Sequence, residues 1–395
     1  MSGDLKPHDE KSLSESIKMA GAWNAPLVVR GAGSKSQIGR PNGYATSVTT
    51  QRMRGVSIYE PTELVIGALP GTALSEINET LASRNQMLPF EPMDYRALLG
   101  GDHEPTIGGI AAGNVSGPRR VMAGACRDSL IGIRLVNGRG DIVKSGGRVM
   151  KNVTGLDLVK LNCGAWGTFG VFSEVIFKVL PKPESTSSLV LRGLNDATAI
   201  AALTAAMGSP FSVSAAAHLP KEVVSEPLTI VRVEGFESSV IYRCGEIAKL
   251  WRPYGDADLL EETVGTDVWS DVRDARWLVD PAESAIWRLS LAPSKAPGVI
   301  DHIKRVLDAR HFYDWGGSLV WLAVNASEDA GSTVVRNAMR GLGGHATLLR
   351  ASPQVRSTVD VFEPLSPALT ELTRRIKFAF DPDRILNFGR MYSGI

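Results

Sequence analysis

Three glycine-rich stretches carry the residues of this sequence that are best suited to chemistry. The first, Arg30–Lys35, follows the short apolar run Leu27–Val29. Glycine is needed where the backbone turns left-handed or where a ligand approaches the main chain closely. Successive N–H groups in such a loop can hold phosphate. The loop lacks the third glycine and the following helix of a dinucleotide fingerprint, and no P-loop motif is present. Taken alone, it is equally compatible with an ordinary tight turn.

Two further stretches favour a bound cofactor over an ordinary turn. Fifteen of the 40 glycines fall between Gly101 and Gly170. The second stretch covers Thr106–Gly117, and the third covers Lys151–Glu174. Small residues and exposed amides at these separations predict one long cofactor lying across the backbone.

The composition excludes several functional classes. Lys and Arg number 43 against 42 Asp and Glu, so the net charge is +1 and no nucleic-acid surface is indicated. The three cysteines lie far apart, at Cys126, Cys163 and Cys244, which argues against a disulfide framework, a zinc ribbon or an iron–sulfur cluster. No two of the six histidines have metal-ligand spacing, so no metal site is predicted. We expect a cytoplasmic protein, since no secretory signal or span of about 20 apolar residues is present.

The predicted secondary structure around these stretches differs before and after residue 182. Before it, the pattern predicts short helices and strands joined by glycine turns, including a helix over Lys11–Ala22 and a hairpin turn at Asn137-Gly138. Pro181–Ser188 has the composition of a linker. Beyond it, apolar strands separated by helical segments predict an α+β domain with a mostly antiparallel sheet. A final helix is predicted over Pro364–Lys377.

The sequence resembles the flavoproteins that have a PCMH-type FAD-binding domain, the family of vanillyl-alcohol oxidase and the D-2-hydroxy-acid dehydrogenases. Within that family it is similar to the smaller FAD-binding subunits of bacterial glycolate oxidases. The matching segments are Pro61–Ile66, Gln86–Pro92, Gly117–Arg120, Gly146–Val153, Lys178–Pro183, Trp287–Leu291, Asp314–Gly317, Gly343–Thr347 and Asn387–Tyr392. In the last segment, Phe388 stands where the family usually has proline.

This resemblance implies an α+β fold in which a PCMH-type FAD-binding domain, built of two α/β subdomains, occupies residues 1–182. A linker is expected over 183–188. A substrate-binding cap domain with a mostly antiparallel sheet is expected over 189–355. The C-terminal helix and tail, 356–395, are expected to return to the FAD-binding domain.

The resemblance also implies FAD as the cofactor. We expect it to be bound non-covalently, because no histidine lies in 30–40. The residues implied to bind it are Arg30, Gly31, Ala32, Gly33, Ser34, Lys35, Thr106, Ile107, Gly108, Gly109, Gly113, Asn114, Gly117, Gly167, Gly170, Val171 and Glu174.

The implied activity is the oxidation of glycolate, or another 2-hydroxy acid, to glyoxylate or the corresponding keto acid. The implied partners are a sister FAD-binding catalytic subunit and an iron–sulfur subunit, through which the chain would meet the inner face of the plasma membrane. The alternatives are a non-catalytic FAD scaffold in that complex, and a stand-alone FAD-dependent oxidase of another hydroxylated substrate. The chain lacks the metal-spaced histidines of its catalytic relatives. We therefore expect the isolated subunit to turn over glycolate poorly.

Three residues are candidates for catalysis. His345 is the best candidate for a base. The alternative is that this histidine has a purely structural role. Arg232 and Arg288 interrupt apolar strands of the second domain. Each is either an arginine on an exposed face of the sheet or a bidentate clamp for a substrate carboxylate.

Overall fold

The computed structural model describes residues 3–44, 46–148 and 155–395. The matching segment Gly146–Val153 lies outside the described residues from Val149 onward, and so does the start of the third glycine stretch, Lys151–Thr154. The chain divides into two compact units. Unit 1 comprises Met1–Ser116, Gly124–Lys182 and Pro364–Ile395, and unit 2 comprises Gly117–Ala123 and Pro183–Glu363.

This division differs from the expected domains in two places. Gly117–Ala123, expected in the FAD-binding domain, belongs to unit 2, and so do residues 356–363. Arg119 explains the first difference, because its guanidinium pairs with Glu234 inside unit 2. The indole N–H of Trp315 also donates to the carbonyl of Gly117, at 3.0 Å.

The strands are β1 (Gly3–Leu5), β2 (Leu27–Arg30), β3 (Thr46–Thr49), β4 (Val56–Glu60), β5 (Val65–Ala68), β6 (Gln86–Met87), β7 (Leu130–Asn137), β8 (Ile142–Gly146), β9 (Gly170–Lys178), β10 (Leu180–Pro181), β11 (Ser185–Arg192), β12 (Val213–Leu219), β13 (Leu228–Gly235), β14 (Asp258–Leu259), β15 (Ala285–Ser290), β16 (Ala309–Asp314), β17 (Leu319–Val324) and β18 (His345–Arg350).

The helices are α1 (Glu10–Ala22), α2 (Leu74–Ala82), α3 (Arg96–Leu99), α4 (Ile107–Gly113), α5 (Arg120–Ala123), α6 (Cys126–Ser129), α7 (Leu158–Asn162), α8 (Asp196–Met207), α9 (Glu237–Trp251), α10 (Glu262–Asp274), α11 (Ala296–Lys304), α12 (Ser332–Met339), α13 (Pro353–Thr358) and α14 (Pro367–Phe380). Short 3₁₀ turns cover Pro61–Glu63, Arg276–Leu278, Pro293–Lys295 and Trp315–Gly317. None of the described helices is long and apolar enough to cross a bilayer.

Unit 1 is built on two main sheets. A parallel sheet has the order β1-β3-β2, and an antiparallel sheet has the order β4-β5-β9-β7-β8. A small pair, β10-β6, accompanies them. Helix α1 begins at its N-cap Asp9, whose carboxylate accepts from the amide of Ser12 at 2.7 Å. Its apolar stripe, Leu13, Ile17 and Ala20, packs in a buried cluster with Leu27 of the parallel sheet.

Unit 2 contains one antiparallel sheet with the strand order β14-β11-β13-β12-β16-β17-β15-β18. The expected linker at 183–188 is not a loop, because β11 begins at Ser185 and pairs with β13. The hydroxyl of Ser188 is also buried, where it accepts from the indole of Trp269 at 2.9 Å. The serine-rich composition of this segment therefore predicted a linker where the structure has a strand, in which the hydroxyl of Ser188 is satisfied by a buried indole.

Candidate functional site

A pocket in unit 1 gathers most of the residues expected to bind the cofactor. Its volume is about 800 Å³ including its open mouth, which suits a large organic ligand. All three glycine stretches contribute to its lining. The predicted residues found there are Arg30, Gly31, Ala32, Gly33, Ser34, Lys35, Thr106, Gly108, Gly109, Gly167, Gly170 and Val171.

The first glycine stretch leaves β2 and turns without forming a helix, as its sequence indicated. Gly33 has φ +101°, a backbone that other residues rarely adopt. Within the described part of the chain, the amides of Ala32 through Lys35 donate to no protein acceptor. Four such consecutive N–H groups beside a pocket are suited to bind an anion such as a pyrophosphate.

Lys35 adds a buried positive charge to this loop. Its side chain is only 7% exposed, and Nζ donates to the hydroxyl of Ser34 at 3.3 Å. The pKa of Lys35 is lowered to about 8, chiefly by burial; the charge of Arg390 also lowers it, while Asp94 and Cys126 raise it. A buried cation is costly unless an opposite charge accompanies it. The residues present therefore fit the pyrophosphate of FAD.

We expect the affinity for FAD to fall as the pH rises through about 8. Lys35 is charged below its lowered pKa and neutral above it, and only the charged form attracts phosphate. A linked ionisation of this kind changes affinity by up to about tenfold per pH unit. The measurement is the dissociation constant of FAD, from flavin fluorescence, between pH 6.5 and 9.5. Lys35→Arg should abolish the slope and keep the binding, whereas a flat profile in the unmodified protein would contradict this role.

The C-terminal tail contacts both the strand that precedes the glycine loop and the loop itself. Asn387 is fully buried, and its Oδ1 accepts from the amide of Val29 at 2.8 Å while its Nδ2 donates to the carbonyl of Trp166 at 2.8 Å. Arg390 lines the pocket, and its Nη2 donates to the carbonyl of Lys35 at 3.1 Å. The closing segment therefore ties the first glycine stretch to the third.

An internal ion pair fixes this tail. Lys377 is buried, and its Nζ donates to Asp381 Oδ2 and to the carbonyls of Thr168 and Leu386, each at 2.7 Å. The carboxylate of Asp381 also accepts from the amides of Ile385 and Leu386, at 3.1 and 2.8 Å. Helix α14, the tail and the third glycine stretch are thus joined through one desolvated charge pair.

Five of the expected cofactor residues lie away from the pocket lining. Ile107 is buried within α4, whereas Gly113 ends that helix and Asn114 caps it. Glu174 of β9 accepts a hydrogen bond from Ser57 at 2.6 Å, and Gly117 belongs to unit 2. The lining residues that sequence reasoning did not name are Val28, Val29, Ser36, Asn42, Thr50, Pro70, Ala112, Trp166, Phe172 and Arg390. Arg390 stands in the closing segment that carried the family resemblance, and that was the signal available for it.

Arg232 is paired with a carboxylate inside unit 2, and its role as a clamp for a substrate carboxylate stays a prediction. Its side chain is buried, with Nε 3.6 Å from Glu234 Oε1 and 3.2 Å from the hydroxyl of Ser214. Glu234 also binds Arg119, so its carboxylate lies between two guanidinium groups. The anion that accompanies Arg232 is therefore the protein's own.

Arg288 and His345 lie on adjacent strands of unit 2. Arg288 pairs with Thr347 in register, and Ser290 pairs with His345. Neighbouring atoms shield the His345 imidazole from water, which lowers its pKa, and the charge of Arg288 also lowers it. His345 keeps an exposed face and is neutral at pH 7. Among the residues that the structure describes, no group of three or more His, Cys, Asp or Glu side chains could hold a metal ion.

Comparison with known proteins decides the family. A model of the FAD binding domain matches residues 2–146. The chain is 35% identical to the glycolate oxidase subunit GlcE of Escherichia coli (strain K12) over 384 residues, which are 97% of each protein. The chain belongs to the GlcE family. It is also 28% identical to the glycolate oxidase subunit GlcD of Bacillus subtilis (strain 168) over 187 residues, covering 47% of this chain and 38% of that protein.

A solved structure confirms the fold of this GlcE family member. p-Cresol methylhydroxylase with substrate bound superposes with a TM-score of 0.75 over 98% of this chain and 88% of its own, at 12% identity. The expected α+β fold of the PCMH type is confirmed, and so is FAD as the cofactor.

The manner of FAD attachment stays a prediction, and the structure sharpens its test. His103 lies beside the glycine loop, since a Cβ placed on Gly33 would be 3.7 Å from its Cδ2. We nevertheless expect non-covalent FAD, held by the amides and Lys35. Acid precipitation should release the yellow colour into the supernatant. Flavin that stays on the denatured protein, and is lost in His103→Ala, would show a covalent bond instead.

Proposed function

We propose that this chain is the FAD-binding subunit of a glycolate oxidase complex that oxidises glycolate to glyoxylate. The observation that carries the proposal is the match to GlcE along 97% of both chains. The pocket supports it independently, because four open amides and a buried lysine provide a site for a dinucleotide cofactor.

Oxidation of a 2-hydroxy acid removes a hydride from carbon and a proton from the hydroxyl group. FAD, when bound, supplies the two-electron acceptor. Unit 1 of this chain contributes the anion site that holds the cofactor. We propose His345 of unit 2 as the acceptor of the hydroxyl proton, because its lowered pKa leaves the imidazole neutral and able to take one.

We propose two partners for the chain, a sister FAD-binding subunit and an iron–sulfur subunit. Two relatives support a multi-subunit assembly, since they are named as different subunits, E and D, of glycolate oxidase. In such an assembly, an iron–sulfur subunit would accept the electrons from the flavin. In this proposal, contact with the inner face of the plasma membrane is made by the partners.

The test compares the isolated chain with the assembled complex. We expect the purified chain to bind FAD and to reduce a dye with glycolate only slowly, because it lacks the metal-spaced histidines of its catalytic relatives. Addition of the sister flavin subunit and the iron–sulfur subunit should restore steady turnover. Rapid glycolate-dependent dye reduction by the chain alone would identify a stand-alone oxidase. A complex that is equally active without FAD on this chain would identify a scaffold.

A further inference from the structure

The C-terminal helix α14 of unit 1 presents an apolar stripe to solvent. Apolar side chains recur along it at intervals of three, four and three residues, at Leu369, Leu372, Ile376 and Ala379. This spacing places them on one side of the helix, and it is the repeat by which paired helices contact each other. Leu369 and Leu372 are each 51% exposed, and Ile376 is half-buried. We call these four residues the α14 stripe.

The chain itself makes little use of this side of the helix. Of the 14 residues of α14, all of which the structure describes, only Lys377 is buried. Helices in proteins gain most of their stability by packing an apolar face. Here the helix is held at its ends instead, by the N-cap Ser366 and by the pair that Lys377 forms with Asp381. Its apolar side is left for a contact that the isolated chain does not make.

A positive charge flanks the α14 stripe. Arg374 pairs with Glu371 at 2.9 Å, on the other side of the helix. Arg375 directly precedes Ile376 and is exposed, and among the described residues no carboxylate pairs with it. Charged residues beside an apolar seam decide which partner helix is accepted. Arg375 therefore favours a partner with a carboxylate beside its own apolar residues.

The same charge argues against a second copy of this chain as the partner. In an antiparallel pair centred on the stripe, the two Arg375 side chains would lie side by side near the twofold axis, which is unfavourable. The contact would also be small. The 14 residues of α14 span about 21 Å, and the helix is about 10 Å wide. A stable interface buries about 800 Å² on each side, several times the face of one such helix.

We propose that the α14 stripe is the docking surface for an amphipathic helix of a partner subunit. That helix would have leucine, isoleucine or valine facing the stripe and an aspartate or glutamate facing Arg375. A lipid surface is a poorer match, because interfacial helices have a wide apolar face with aromatic residues and several cations. The inference rests on the proposed function, in which the chain works within a multi-subunit assembly.

The test measures binding of the FAD-loaded chain to the purified sister flavin subunit and iron–sulfur subunit, separately and together, by calorimetry. Leu369→Ala/Leu372→Ala should raise the dissociation constant for one of them by about 30-fold or more, as for a central apolar contact. Alanine keeps the helix intact. Arg375→Glu should raise it by about tenfold or more, because a carboxylate would then face a carboxylate.

Matched controls make the same kinds of change away from the stripe. Phe378 is 63% exposed and stands nine positions after Leu369, on the opposite side of the helix. Phe378→Ala and Arg374→Glu should therefore bind like the unmodified chain. The melting temperature and FAD content of every variant are recorded, and Arg375→Glu serves if the double alanine variant fails to fold.

Three results would overturn the inference. The first is equal binding by the stripe variants and the controls. The second is a dimer of the isolated chain that only the stripe variants dissociate, and the third is binding to vesicles of phosphatidylcholine and phosphatidylglycerol that the same variants lose. If the unmodified chain binds neither subunit, the proposed function fails as well. If it binds them and the stripe variants bind equally, the proposed function stands and only this surface fails.

Discussion

Gly33→Val is expected to leave the protein folded and without FAD. Gly33 has φ +101°, and a Cβ there would lie 3.2 Å from the hydroxyl oxygen of Ser36. A valine at this φ is strained by about 1–3 kcal/mol. The loop would relieve that strain by leaving the conformation in which its four amides, which have no protein acceptor, line the pocket. Each charge-assisted hydrogen bond lost costs about 1.5–3 kcal/mol, which is tenfold or more in affinity.

Gly109→Val tests the other wall of the same pocket. A Cβ on Gly109 would lie 3.6 Å from Nζ of Lys35 and 3.2 Å from the hydroxyl of Thr106. Valine there occupies the space beside the buried cation, so FAD content should also fall. Gly245→Val is the matched control, because that glycine lies on the exposed surface of α9. A Cβ added there would meet no neighbouring atom within 4 Å. Stoichiometric flavin in both pocket variants, measured by absorbance after gel filtration, would refute the cofactor site.

Asp381→Ala is expected to destabilise unit 1 by about 3–5 kcal/mol, the cost of leaving one partner of a buried ion pair alone. Lys377 would keep its charge in a desolvated place, although burial already lowers its pKa. The amides of Ile385 and Leu386 would lose their acceptor as well. Since Asn387 and Arg390 follow directly, affinity for FAD should fall with stability.

The measurement is the free energy of unfolding of the FAD-free protein in guanidinium chloride. The double variant Lys377→Met/Asp381→Asn should lose less than the sum of its single changes, because neither charge is then left alone. Glu371→Ala removes an exposed carboxylate from the same helix, where it pairs with Arg374, and should change stability by less than about 1 kcal/mol. Equal losses for Asp381→Ala and Glu371→Ala would show that the buried pair is not what holds the tail.

The sequence correctly predicted those helices and turns that depend only on residues close together in the chain. The capped helix at Glu10–Ala22, the hairpin around Asn137-Gly138 and the final helix at Pro367–Phe380 were recognisable from periodicity and turn residues. The glycine loop after β2 was correctly expected to turn without a helix. Its open amides and the buried state of Lys35 depend on chain that is distant in sequence, and they were not predictable.

Two candidate site residues have partners in the structure that the sequence analysis did not consider. The resemblance implies that Gly117 binds the cofactor, and that role stays a prediction; in the structure its carbonyl is bound by Trp315, 198 positions away. Arg232 was considered for a substrate carboxylate. Its partner Glu234 stands two residues further along the same strand, on the same face, and that spacing could have identified the pair.

The bond between β2 and the tail also has a consequence for biosynthesis. The amide of Leu27 donates to the carbonyl of Ile385, and the amide of Asn387 donates to the carbonyl of Leu27. Apart from Gly117–Ala123, unit 2 is one continuous segment, so it can fold on the ribosome while unit 1 still waits for Pro364–Ile395. The glycine loop is therefore synthesised long before the C-terminal segment that contacts it. We therefore expect loading with flavin to be one of the last events in the maturation of the subunit, and a stop codon before Asn387 to weaken the hold on the cofactor.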